Sequence, residues 1–172
     1  MPVMTTAGSG NIGLTASLPV ITFCRERNKS DEQLYRALFF SHLTTIHVKA
    51  KIGRLSAYCG PMCAAAAVAG AIGFVNDFDF QTVSNAIVNT LGGVSGIVCD
   101  GANSSCPIKI ANGTYAAYDG IAMAANGNVI TVGDGIVGQD VEQTINNIAE
   151  MAQKGMDVTD KVILNIMTRD DI

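Results

Sequence analysis

The chain has 172 residues, 48% of them apolar and only 15% charged, which is enough for one ordinary globular core and excludes a disordered chain. A net charge of −4 without any cluster of Lys or Arg argues against a nucleic-acid or anionic-lipid footprint. Five cysteines, with no secretory signal in "MPVMTTAGSGNIG", point to reduced thiols and a cytoplasmic address rather than a disulfide framework.

In chain order, the first element is a glycine-rich loop, "TTAGSGN", with Ser9, Gly10 and Asn11 ahead of a short helix over 18–26. Backbone N–H groups unencumbered by side chains make such a loop a cradle for a carboxylate or phosphate. Next, Ser30 and Gln33 form a capping box opening a helix of about five or six turns that ends at Gly53. Its apolar residues Leu34, Leu38, Phe39, Leu43, Ile46 and Ile52 recur mainly at three- and four-residue steps and predict its buried face. His42 and His47, five apart, share no face well and read as satisfied helix histidines. Lys49 and Lys51 read equally well as solvated charges suiting the helix C-terminus and as groups neutralising a substrate or cofactor. Arg54 and Ser56, in the following loop, are better candidates for the site.

That loop, "RLSAYCGPMC", leads through Cys59 into an alanine-rich helix over 62–74, too short and weakly apolar to span a bilayer. A further helix starts near Asp79 and stops at Gly92 and Gly93. The loop "CDGANSSC" then carries Cys99, Asp100 and Cys106, with Pro107 suiting the first turn of a helix that runs to Asn126 and Gly127. "NVITVGDG" alternates weakly, like a strand. Asp140 and Gln143 cap a helix closing at Gly155, and "TDKVILNIM" forms the last one. The expected fold is all-α: a single multi-helix domain over 1–172, with glycine-rich loops converging on one site.

Cys59, Cys99 and Cys106 place three thiols on two loops. Such thiolates suit three irons of a [4Fe–4S] cluster, leaving one iron open to substrate; buried or unrelated thiols are the plainer alternative. A structural zinc site using Cys63 as a fourth ligand is another. Cys24, in "VITFCRER", reads as packing, and Asp100 as either an Asx turn or a ligand for a substrate ammonium.

"TTAGSGNIGLTASLPV", "SHLTTIHVKAKIGRLSAYCG", "SGIVCDGANSSCPIKIANG" and "DGIVGQDVEQTINNIAEMAQKGM", in this order, resemble the C-terminal part of the iron–sulfur L-serine dehydratase alpha-chain superfamily, most closely its cysteine desulfidase-like branch. The resemblance implies an oxygen-sensitive lyase that eliminates sulfide from L-cysteine or water from L-serine, giving pyruvate and ammonia. It also implies a [4Fe–4S] cluster on Cys59, Cys99 and Cys106, lost on purification in air, with the Ser9–Asn11 loop beside a small amino acid substrate. Serine dehydratases proper space their last two cluster cysteines more widely, which favours the desulfidase-like branch. Members of that branch carry an N-terminal region supplying the catalytic base. The expected partner is therefore that N-terminal half or a separate chain, with a homo-oligomer also open, and with neither nucleic acid nor membrane. A non-catalytic helical module for oligomerisation or regulation is the alternative from another class.

Overall fold

In the computed structural model, described over residues 3–53 and 56–169, the protein is all-α. Seven α-helices run α1 (Gly10–Glu26), α2 (Asp31–Ile52), α3 (Gly60–Val75), α4 (Phe80–Gly93), α5 (Cys106–Ala125), α6 (Val141–Glu150) and α7 (Asp157–Met167). None is long and apolar enough to cross a membrane. The cap residues fall where their chemistry puts them. The Ser30 side chain accepts from the Gln33 amide while the Gln33 side chain accepts from the Ser30 amide, and Asp79 and Asp140 accept from Thr82 and Gln143.

α3 is the hub. Every one of its residues except Phe74 is buried, and α1, α2, α4 and α5 pack around it. Alanine and glycine make that possible, because a helix enclosed on all sides needs small side chains for its neighbours to approach. At its far end Lys29 donates to the Val75 carbonyl at 2.9 Å, satisfying one of the helix's orphan acceptors. Between α4 and α5, a Cβ at Gly120 would overlap Thr90 Oγ1 and stand 2.9 Å from the Ala86 carbonyl oxygen. The backbones touch there.

Three features differ from the sequence-based expectation. α1 begins at Gly10, eight residues early, although "GNIGLTAS" is a poor helix former and Pro19 lies inside it. Burial of Ile12, Thr15 and Ala16 outweighs propensity, as tertiary packing commonly does. The inward face of α2 is Ala37, Ser41, Thr45, Val48, Lys49 and Ile52, while Phe39, Leu43 and Ile46 are exposed. The small face allows close contact with α1 and α3, and Ser41 donates to the Ala16 carbonyl at 2.8 Å across that contact. "NVITVGDG" forms no strand: Asn89 takes the Ile130 amide and donates to the Asn128 carbonyl, so side-chain bonds replace a ladder. The helix opened by Asp140 ends at Glu150 and continues to Gly155 as one π-helical turn.

Candidate functional site

One end of the hub helix is where the loops meet. Tyr58 and Val98 form an antiparallel bridge, with the Cys59 amide donating to the Ile97 carbonyl at 3.1 Å and the Cys99 amide to the Ala57 carbonyl at 2.6 Å. Two loops distant in sequence are thereby zipped together, and two thiols become neighbours. Cys59 is the N-cap residue of α3 and Cys106 the first residue of α5. Cys106 Sγ lies 3.5 Å from both the Asn103 amide, from which it accepts, and the Gly101 carbonyl, to which it donates.

All three sulfur-bearing residues line a cavity of about 230 Å³. Ser9, Asn11, Ser56 and Asp100 line it too. Gly10 opens α1 directly beside them, and Arg54 lies outside the described residues. Ser56 Oγ already accepts from the Tyr58 amide at 3.1 Å. The Asp100 carboxylate is held by Lys109, whose ammonium also donates to the Val98 carbonyl at 3.1 Å. That hydrogen bond holds the Asp100 carboxyl below the usual carboxylate range. Burial works against the Lys109 charge, but Asp100 and the thiols of Cys59 and Cys99 outweigh it and raise its pKa.

Burial pushes the Cys59 thiol up to about 11; Cys99, Cys106 and Asp100 add to the rise, and Lys109 opposes it. Burial and the neighbouring thiols thus disfavour a thiolate at Cys59 unless a cation is close by. Cys63, one turn into α3, is fully buried, pushed up to about 12 by burial above all, and does not line the cavity. Among the described residues no three or more His, Cys, Asp or Glu side chains are gathered to hold a metal ion, the thiols of Cys59, Cys63, Cys99 and Cys106 included. Cys24 is packed in the core beside Val20 and Ala37, with its thiol raised by burial.

The other wall is the N-terminal loop. Thr6 and Ser9 exchange amide-to-carbonyl bonds of 3.2 and 3.1 Å around Ala7 and Gly8, at φ 49° and 87°. The second of these suits a residue without a side chain. His42 anchors the turn, with Nδ1 2.8 Å from Thr6 Oγ1 and Nε2 3.1 Å from Ser17 Oγ. Since the Ser17 hydroxyl donates to the Gly13 carbonyl, it accepts from Nε2–H, which leaves Nδ1 to accept from Thr6. Burial lowers the His42 pKa, in keeping with a neutral ring. His47 is on the surface, paired with Glu142.

Lys49, Tyr58 and Lys109 also line the cavity; of these the sequence offers Lys49 as one of two equal readings, and Tyr58 and Lys109 not at all. The signal for Lys49 was there: it follows Thr45 by four and precedes Ile52 by three, on the face that α2 buries. The Tyr58 hydroxyl is buried with no hydrogen-bond partner among the described residues.

A family model described as serine dehydratase alpha chain matches residues 1–165. The chain belongs to the serine dehydratase alpha chain family. Among curated relatives, a UPF0597 protein of Fusobacterium nucleatum is 57% identical over 98% of the chain. UPF0597 proteins of Treponema denticola and Desulfitobacterium hafniense are 48% and 46% identical, over 98% and 97% of it. The chain spans 40%, 39% and 39% of the length of these three relatives. No solved structure matches it.

Proposed function

We propose that this chain is the cluster-holding part of an iron–sulfur amino acid lyase that eliminates sulfide from L-cysteine or water from L-serine. The observation that carries the reading is the meeting of Cys59, Cys99 and Cys106 at one cavity. A mononuclear ion draws its ligands to a point about 2.3 Å from each sulfur, whereas a polynuclear group takes one thiolate per iron and lets them stand apart around a space. Three soft donors lining one cavity suit a [4Fe–4S] group held by Cys59, Cys99 and Cys106. When bound, the group supplies Lewis acidity at the iron that no cysteine takes.

The chain's own residues do the rest of what is assigned here. The Asp100–Lys109 pair and the Tyr58–Val98 bridge hold the thiol loops in place. Ser9, Gly10, Asn11 and Ser56 face the substrate, and the buried surround excludes water. In the elimination the Cα–H bond gives its proton to a base, its electron pair forms the Cα–Cβ double bond, and the Cβ–S or Cβ–O bond breaks with its pair leaving on hydrosulfide or hydroxide, which takes up the proton from the base. The resulting 2-aminoacrylate tautomerises and hydrolyses to pyruvate and ammonia. Asp100 is committed to Lys109 and His42 to Thr6 and Ser17, so the base is assigned to the remaining three-fifths of the relatives' length, in the same polypeptide or in a partner.

Anaerobic reconstitution with iron and sulfide tests the reading. About four irons per chain with broad visible absorbance are expected, and pyruvate should form from L-cysteine or L-serine only once the remaining part is added. Stoichiometric zinc with no iron would overturn it, and so would full turnover by the isolated chain.

A further inference from the structure

The two walls of the cavity differ in how their polar groups are satisfied. Lys49 is only 6% exposed, and among the described residues its ammonium has no carboxylate or hydrogen-bond partner. Lysines are seldom so buried unless paired. Beside it is the N-terminus of α1, a 17-residue helix whose N-cap Ser9 makes no side-chain cap bond. The amides of Gly10, Asn11 and Ile12 have no acceptor among the described residues. Among the described residues the Tyr58 hydroxyl is the fully buried side-chain polar atom without a partner, whereas the Lys49 ammonium reaches the cavity. The one carboxylate on the cavity, Asp100, is taken by Lys109.

We propose that Lys49 and the first amides of α1 form a subsite for the carboxylate of a small α-amino acid. This rests on the lyase reading and adds the group that would fix the substrate's orientation. One ammonium together with roughly half a charge from the helix N-terminus matches a carboxylate better than a phosphate dianion. A cavity of about 230 Å³ lies below the several hundred typical of drug-sized ligands and suits a ligand of serine's size. Held at this wall by its carboxylate, such a ligand directs its side chain toward the three thiols. Lys49 is thus a substrate-binding residue. The competing role is compensation of nearby thiolates, since its charge also draws the Cys63 pKa down against burial.

The test titrates the 172-residue chain with L-serine and with L-serinamide, which differ at the carboxylate, and with inorganic phosphate, following heat. Wild type should prefer the acid over the amide by roughly tenfold or more, as expected for a charge-assisted bond, and should bind phosphate more weakly than serine. Lys49→Met should lose that preference, Lys49→Arg should keep part of it, and circular dichroism checks that each folds. Lys49→Gln replaces Lys49→Met should the latter fail to fold. Equal binding of acid and amide by wild type, no binding of either, or unchanged serine affinity in the folded Lys49→Met or Lys49→Gln would overturn the proposal. So would loss of iron loading in that variant with acid preference intact, which would assign the ammonium to the thiols. Failure of the cluster reading appears separately, as wild type that takes no iron yet still prefers the acid.

Discussion

The thiol wall and the donor wall of this cavity are built on opposite principles. On the thiol wall, most polar groups are already engaged: Lys109 holds Asp100 and the Val98 carbonyl, and the Cys59 and Cys99 amides are spent on the bridge between loops, the buried Tyr58 hydroxyl being the exception. On the donor wall, the Lys49 ammonium and the α1 amides face the cavity without acceptors among the described residues. A wall satisfied in advance keeps its shape and can position ligands for a cofactor. A wall of donors without protein acceptors is left to water or to an arriving anion, and so can take a ligand.

The largest expected effect separates the thiols on the cavity from those behind it. Cys59→Ala, Cys99→Ala and Cys106→Ala should each abolish stable iron loading, measured as iron per chain and visible absorbance after anaerobic reconstitution. Cys24→Ala and Cys63→Ala should load as wild type; a Cys63→Ala protein without iron would move that thiol onto the wall.

The next effect is in alkali. Cys63 in the folded chain stays protonated to about 12, against an ordinary 9.0, so below pH 9 it contributes nothing to pH dependence. As pH rises from 9 toward 12 only the unfolded chain ionises, and the native state loses about 1.4 kcal/mol per pH unit on this account. Chemical denaturation of the metal-free protein between pH 8 and 11 should show a shallower decline in Cys63→Ala than in wild type. Parallel slopes would show that this thiol does not carry the effect.

Gly13→Ala should injure one wall and spare the other. Its Cβ would overlap the Met4 carbonyl oxygen, forcing the loop before Thr6 outward at a cost of about 1–3 kcal/mol. Melting should fall by several degrees and serine affinity with it, while iron per chain stays at the wild-type value. Equal loss of iron would mean that the walls are not independent.

The smallest effect is expected far from both. Glu142 pairs with His47 and Lys51 across α2 and α6, half exposed, and Lys51 chiefly lowers its pKa by a hydrogen bond. Glu142→Gln should cost below about 1 kcal/mol and leave iron and serine binding unchanged. Since the folded carboxyl is the stronger acid, any contribution is present above the unfolded carboxyl pKa and lost as pH falls through the lower folded value. A difference between Glu142→Gln and wild type at pH 7 should therefore vanish in acid.

Local chemistry was legible from the chain alone. Ser30, Asp79 and Asp140 mark helix starts because a side-chain oxygen satisfies an orphan amide within three residues, and that needs no other part of the protein. Cys59, Cys99, Cys106, Ser9 and Asn11 were singled out from residue type and loop context, and all five reach the cavity. What the sequence could not determine was which side of each helix faces inward. Hydrophobic periodicity chose the large residues of α2, but the alanine hub admits only its small face, so Phe39, Leu43 and Ile46 turn outward and Lys49 turns in. The partners of Asp100 and Tyr58 were equally out of reach. The Tyr58–Val98 bridge joins segments forty residues apart, and it forms because α3, α4 and α5 pack together and bring the two loops to one end. Burial of a charge and commitment of a carboxylate are properties of that packing, decided only when distant segments meet.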